Sequence, residues 1–575
     1  MMSQHYKAAL MATAMSALFI FHGPARADDT ADEIRLLKAQ LRKLEEKVSE
    51  QARKQKETQV QIRAVAAQPA PQAPPPGSPY GNIGVAIAPL GGAPQQGLTA
   101  TQSAVRGLPE VGSPSLYING VSITPGGFLA LESVFRNRFV GADIGTPYQN
   151  IPYYNNRVGY SNEFRFSARQ SRASLLVQGN VSPTLHLAGY GEFDFLGAAQ
   201  TANSNESNSF NLRIRHLYAT ADEDYFGAHL LAGQTWSLLT MNSKGIIPRK
   251  EDIPLSIDAQ YVPGFAWARQ PQIRLVKDFD QTFWAGISVE NPQTTFGCSS
   301  TTSGAVVTNN CTTVSPYVAG VLPSSLTYNA PSVGGGLFNS VNTLSLNHVP
   351  DVIGKLAWDP NLGDRSIHME GFGIFRDFYS QVYNNNQDVA GWGVGGSILV
   401  PVVPKTLDLQ FSGMTGRGIG RYGSAQLPDV SFNWNGTISP LPETMLLAGA
   451  VWHALPQLDI YTYAGEEFQK PSYSNLVSST GVVSVYGNGN PLYNNLGCST
   501  EAATTTAVTP TCTGNIKLIR QFTAGFWDKL YDGPFGSLRA GLQYSFTQKY
   551  SFAGIGGAAK TEDSAFLTSL RYYPF

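Results

Sequence analysis

From about Gly127 onward the chain alternates apolar and polar residues with a period of two, the mark of strands with one apolar face. Candidate strands lie near 127–137, 161–179, 183–196, 210–222, 225–237, 270–278, 281–290, 350–358, 365–378, 388–399, 405–413, 443–453, 457–468, 516–529, 536–548 and 562–575. Short connections near 180–183, 222–225, 278–280, 359–364, 401–404, 454–456 and 528–535 alternate with long ones near 138–160, 197–209, 238–269, 291–349, 379–387, 414–442, 469–515 and 549–561. Seven short turns and eight long loops are what an up-and-down barrel of about sixteen strands needs when both ends lie on one side. A soluble sandwich has no reason to sort its loops by length.

The alternation suits lipid outside and water inside. Phe164 and Phe166 oppose Arg165, Ser167 and Arg169; Arg172 then breaks phase, which predicts a bulge near Gln170–Ser171. Leu185, Leu187, Phe193 and Phe195 oppose His186, Tyr190, Glu192 and Asp194, and Leu538, Leu542, Tyr544 and Phe546 oppose Arg539, Gln543 and Thr547. The last stretch, Ser564–Phe575, alternates up to a terminal aromatic and resembles the sorting signal of bacterial outer-membrane barrels.

Before the strands the periodicity is different. Ile34, Leu41, Val48, Gln55 and Ile62 recur every seven residues, as do Leu37, Leu44, Gln51, Thr58 and Val65. These are a and d positions, so residues 28–66 are predicted to form a coiled coil; the plainer alternative is a single solvated helix. Residues 67–126 are a Pro/Gly-rich linker, with Pro74-Pro75-Pro76, or a segment tucked into the barrel lumen. At the front, Lys7, an apolar run from Ala8 to Phe21 and Ala25-Arg26-Ala27 make residues 1–27 a secretory signal peptide, cut after Ala27.

After that leader no segment holds the ~20 uninterrupted apolar residues of a membrane helix. The fold expected for 127–575 is therefore all-β: a transmembrane antiparallel β-barrel, for which 26 Tyr and 29 Phe can supply interfacial girdles. Net charge is −1, so charge implies no nucleic-acid partner. The cysteines fall as two pairs, Cys298 with Cys311 and Cys498 with Cys512, each inside one of the two longest loops. Two intraloop disulfides are the preferred pairing, each stabilising by about 3 kcal/mol. No metal or cofactor site is expected, since no ligand set lies at metal-binding spacing. No catalytic motif is present, so the chain is not expected to be an enzyme.

Charge concentrates in the third long loop, which carries Lys244, Arg249, Lys250, Glu251, Asp252, Asp258 and Arg269. Strands two and four could face it with Arg165, Arg169, Arg172, Arg213 and Arg215. Together these would form a basic constriction whose field favours anions. The competing reading is that the arginines only keep a wide lumen solvated and pair with Glu163, Glu192 and Asp194.

The heptads of 34–65, Gly233-Gln-Thr-Trp-Ser237, Arg269-Gln-Pro-Gln-Ile-Arg274, the stretch Asp459–Glu467 and the terminal Arg571-Tyr-Tyr-Pro-Phe575 together resemble trimeric outer-membrane porins. More narrowly, the chain resembles the DcaP-like porins, which carry an N-terminal periplasmic coiled coil before a sixteen-stranded barrel. The resemblance implies a third loop folded into the barrel as its constriction and a homotrimer in outer-membrane lipid. It also implies passive diffusion of small hydrophilic solutes, with carboxylates favoured. A periplasmic coiled coil could also touch peptidoglycan. The alternative is a barrel adhesin or receptor acting through loops 291–349 and 469–515, which are rich in Thr, Ser, Asn and Tyr. A soluble coiled coil joined to a sandwich is a third reading.

Overall fold

The apolar face of the alternating pattern points outward and the polar face inward, around a closed sheet. A computed structural model describes residues 115–197, 211–297, 345–501 and 512–575, apart from 364, 383 and 482, with strand pieces at 300–303, 306–309 and 326–327. The expected signal peptide, the coiled coil and most of the linker lie outside the described residues.

The barrel strands follow in chain order. They are β1 (Val121–Arg136), β2 (Glu163–Ser167 and Arg172–Asn180), β3 (Leu185–Gly197) and β4 (Asn211–Glu223). Next come β5 (Ala228–Trp236), β6 (Arg269–Phe279), β7 (Phe283–Glu290) and β8 (Asp351–Trp358). Then follow β9 (His368–Val382), β10 (Asn385–Val403), β11 (Leu407–Arg417) and β12 (Pro442–Leu455). The last are β13 (Leu458–Gln469), β14 (Ile516–Gly533), β15 (Gly536–Ser551) and β16 (Lys560–Tyr573). Neighbours pair antiparallel, and β1 pairs with β16 from Leu129↔Tyr572 to Arg136↔Ala565, which closes the sheet. All sixteen expected strands are present.

β10 and β14 run on into the expected turns 401–404 and 528–535, to Val403 and Gly533, and β11 runs on to Arg417. Two further boundaries differ from expectation. β1 begins at Val121, ahead of Gly127, and its first half pairs with Arg172–Gly179. Pro125-Gly126-Gly127 interrupts the alternation there. Gly127 has φ +123°, and a Cβ would sit 2.2 Å from the Arg172 carbonyl oxygen, so the position takes only glycine. The loop expected at 379–387 is instead a tight hairpin between β9 and β10, turned at Asn384 with φ 65°. Asn tolerates that left-handed backbone, and the polar run Ser380–Gln387 continues the ladder past the apolar band. The phase break at Arg172 holds: the strand is interrupted between Ser167 and Arg172, and Arg172 pairs inward with Phe128.

The outer face exposes large apolar side chains such as Leu131, Phe166, Leu187, Ile287, Phe411, Phe522 and Phe566. At the short-turn end it carries Tyr225, Phe226, Phe279, Trp358, Trp452, Phe535 and Tyr572 as an aromatic girdle. β16 ends at Tyr573, so Phe575 stands beyond the ladder.

Inside, loops fill much of the barrel. The loop 237–268 contributes to two buried clusters that meet the wall along different stretches. One joins Ile257, Tyr261, Val262 and Phe265 to Val134, Tyr461, Tyr463, Trp527 and Leu567. The other joins Leu238, Ile246 and Ile247 to Trp284, Ile353, Ile374 and Met445.

Of the two expected disulfides, one is formed: Cys498 and Cys512 are joined and tie loop 470–515. The other expected pair, Cys298 with Cys311, lies outside the described residues. Loop 418–441 is held by a buried ion network instead. Arg376 donates to Asp429 at 2.6 Å and pairs with Asp351 at 3.2 Å, and its Nη1 also reaches the Gly418 carbonyl.

Removing Arg376 leaves two buried carboxylates short of their main counter-charge. Arg376→Ala should therefore cost about 3–5 kcal/mol, read as a lower urea midpoint of the detergent-solubilised protein.

Candidate functional site

Three adjacent strands set an inward ladder of charge. Arg172 of β2, Glu192 and Asp194 of β3, and Arg213 and Arg215 of β4 lie side by side because paired residues of neighbouring strands share a face. Arg213 holds Asp194 in a two-bond fork, at 2.9 and 2.6 Å. Arg215 bridges both acids: Nε donates to Glu192, and Nη1 donates to Asp194 at 3.1 Å. Arg172 sits 3.9 Å from Glu192 and over the Phe128 ring. Arg269, opening β6, lies over the Trp236 ring at 4.5 Å.

The loop 237–268 closes over this ladder. Its wall contacts are backbone amides meeting side-chain acceptors. Leu238 N donates to Glu290 at 2.8 Å, Asn242 N to Glu370 at 3.0 Å, Gly245 N to Asp359 at 2.9 Å and Gly264 N to Glu467 at 2.8 Å. Gly264 has φ +89°, and a Cβ there would meet the Leu446 carbonyl oxygen at 2.1 Å, so wall and loop touch backbone to backbone. Asp258 accepts from the Thr146 amide at 3.0 Å, tying this loop to the first one. Tyr261 then reaches the ladder, its hydroxyl 3.4 Å from Arg215 Nη2.

The expected constriction residues separate into two groups. Arg172, Arg213, Arg215 and Arg269 come together. Arg249 lies beside them, over the Tyr190 ring at 5.3 Å, in a left-handed backbone with φ 68°. Arg169 is buried at the strand break, where it pairs with Asp143 at 3.1 Å and donates to the carbonyls of Phe195 and Gly197. Arg165 stands on the inner face of β2, exposed, with its guanidinium 6.0 Å from the Phe139 ring centre. Lys250 is part-buried, and its carbonyl accepts the Ser243 amide at 2.7 Å. The competing reading is thus partly realised: Glu192 and Asp194 do pair with the arginines, while Glu163 pairs with Arg136 at 3.1 Å.

The balance still favours positive charge: four guanidiniums, of Arg172, Arg213, Arg215 and Arg269, face two carboxylates. Arg172 Nε and Arg269 Nη1 are buried with no hydrogen-bond partner. Tyr261 senses the field. Burial alone would raise its phenol, but Arg215, Arg172 and Arg269 outweigh burial and bring it down to about 8. Trp236 lies in the stretch Gly233–Ser237 that carries the family resemblance, but no pattern in the sequence marks Tyr261, since an aromatic in a loop is equally at home in a core. Elsewhere in the same loop the field is reversed. Burial pushes Asp252 up to about 7, and Glu370 and Asp408 add to the shift. Its Oδ2 is buried without a partner.

No family model and no curated protein matches the sequence. Among solved structures, the chain is similar to the outer membrane channel DcaP of Acinetobacter baumannii, with TM-score 0.51 and 16% identity over 79% of this chain and 99% of that one. It is more distantly similar to the anion-selective porin from Comamonas acidovorans, with TM-score 0.39 and 10% identity over 79% of this chain and 99% of that one. Salmonella typhi OmpF, solved in complex with daunomycin, gives TM-score 0.41 and 8% identity over 80% of this chain and 99% of that one. The first likeness shows a barrel fold shared with that channel, the fold the sequence resemblance implied.

Two pH-dependent outcomes follow from the loop. Subtracting the ultraviolet titration of Tyr261→Phe from that of the wild type should isolate one phenol ionising near pH 8, and Arg215→Gln should move that transition upward. Asp252 holds its proton more tightly when the loop is seated, so its contribution is full below the ordinary value of 3.8 and is lost as pH rises through about 7. Asp252→Asn should remove that share of the stability change between pH 4 and 7, measured by urea midpoints across the range.

Proposed function

We propose that the chain is an outer-membrane porin: a passive channel for small hydrophilic solutes that favours anions. The observation that carries this reading is the surplus of guanidinium over carboxylate in the ladder beside the third loop, with two N–H groups left unpartnered. A charged ring at a narrow point, walled by low-dielectric protein, biases which ions enter. Carboxylates fit such a ring because guanidinium forks match their geometry.

The lumen-facing arginines hold solute by charge and forked hydrogen bonds and carry out no reaction. Arg172 and Arg213 are the part-exposed members that a passing solute meets. Arg215 and Tyr261 are buried behind them and fix their positions. Arg165, Arg249 and Lys250 extend the field along the path, while Arg169 braces the strand break. In this reading the signal peptide is removed after Ala27, residues 28–66 form a periplasmic coiled coil, and three copies assemble. The long loops then face outward from the cell and the short turns face the periplasm.

Reversal potentials across a planar bilayer with a potassium chloride gradient test the reading. The wild type should prefer chloride. Arg269→Gln and Arg172→Gln each remove one unit of a small surplus and should lower the anion-to-cation permeability ratio by about twofold or more. Cation preference in the wild type would overturn the anion claim. Absence of conductance would overturn the channel itself and favour action through the long loops.

A further inference from the structure

Five of the eight histidines contact carboxylates in the described residues, and three share one geometry. His229 places one ring nitrogen on Asp222 and the other on Asp278, at 2.8 and 3.1 Å. His368 does the same with Asp359 and Glu370, at 2.6 and 3.0 Å. His453 does so with Asp459 and Asp408, at 2.6 and 3.3 Å. Each is a clamp: an imidazole stitching neighbouring strands or turns through its two opposite edges.

His348 is built differently. It turns a single nitrogen, Nε2, toward two carboxylates, Asp388 at 2.7 Å and Asp377 at 3.9 Å. One donor atom from each of the three residues lies within 4.8 Å of the others. The second distance is too long for a hydrogen bond, and Asp377 Oδ2 is shielded from solvent with no hydrogen-bond partner. An imidazole N–H can satisfy one of these carboxylates but not both. Two aspartates thus face each other across adjacent strands with one hydrogen between them.

The surroundings hold the three donors in place. Asp377 on β9 and Asp388 on β10 lie on the outer wall, in the same rows as the exposed Phe375 and Trp392 and close to the β9–β10 hairpin. Arg376 and Phe378, the neighbours of Asp377, point inward and are fully buried, which fixes the outward direction of Asp377. The His348 ring packs against Tyr379, with centroids 4.2 Å apart. Asn347, next to His348, donates to the Asp377 carbonyl at 3.2 Å and ties the end of the fourth loop to β9.

We propose that His348, Asp377 and Asp388 form a divalent transition-metal site of the zinc class on the outer wall at the long-loop end of the barrel. Two carboxylates and a neutral imidazole bring a charge of −2, which a divalent cation cancels. Imidazole favours zinc-class ions over calcium or magnesium, which seek six or more oxygens. Zinc bonds of about 2.0–2.2 Å in a tetrahedron put donor atoms roughly 3.3 Å apart, between the two distances found here. His348 and Asp388 are about half exposed, at 48% and 51%, so small side-chain shifts reach that geometry and one coordination position stays open to water.

Titration calorimetry of the detergent-solubilised full chain with zinc chloride at pH 7.5 tests the site. The expected result is one saturable site per chain. Its affinity should fall at least tenfold in His348→Gln, in Asp388→Asn and in the wild type at pH 5.5, where protons compete for the imidazole. His453→Gln removes a clamp histidine and should leave the affinity unchanged. The proposal fails if the wild type shows no saturable binding, if both site variants bind as the wild type does, or if His453→Gln abolishes binding.

Discussion

Closure of the sheet is the constraint on which the rest of the molecule depends. A strand in hydrocarbon has no water to satisfy its amides and carbonyls, so each needs a partner strand on both sides. Pairing of Leu129–Arg136 with Ala565–Tyr572 supplies the last missing edge. It spans more than four hundred residues of intervening chain, a long-range contact that local propensity alone cannot specify. The register is set by side chains. A slip of one residue would turn Glu132 and Arg136 to the lipid face and Leu131 and Phe135 to the lumen. Glu132 meets Arg571 across this seam at 2.7 Å, so the closing pair also carries a buried ion pair that only one register forms.

Closure creates a second problem inside. A loop that enters the barrel carries unpaired amides into a space its own side chains leave nearly dry. Carboxylates on the wall answer them: Glu290, Glu370, Asp359 and Glu467 each accept a backbone N–H of the loop 237–268. Two of the four are themselves braced by cations, Glu370 by Lys355 and His368, and Asp359 by His368. Acids inside the barrel therefore do structural work far from the arginine ladder, and their number says little about the charge of the passage.

Strands and their inward faces were legible because alternation is local and loop length is countable. Phe164, Phe166, Leu187 and Asp194 sit on the sides their parity predicts. Where the pattern misled, backbone geometry took over from side-chain pattern: Gly127 hides the first half of β1, and Asn384 turns an expected loop into a hairpin. The arginines of the site were legible as residues but not as a group. Arg169 and Arg215 differ little in sequence context, yet one braces a strand break and the other bridges two acids. That division depends on the four-residue break in β2, which the phase change at Arg172 signals, and on the irregular register between β3 and β4, which residue type does not show.

The register between β3 and β4 also explains why the ladder needs its two acids. It shifts between Glu192 and Phe193, and again between Asp194 and Gly197. The first shift brings Arg213 and Arg215 onto a shared carboxylate, Asp194, while Arg215 alone also reaches Glu192. Guanidiniums this close, with no counter-charge, would repel and spread into the lumen. Asp194 and Glu192 draw them into a fixed row, and Tyr261 caps the row from the loop. Because two acids pair with three cations, order comes without neutrality. Had the acids matched the arginines, the row would be as rigid but carry no net field. Had they been absent, the field would be larger but without a fixed position. The N–H groups left without hydrogen-bond partners, Arg172 Nε and Arg269 Nη1, lie outside the Arg213–Asp194–Arg215 core of the row, so pairing is tightest at its centre.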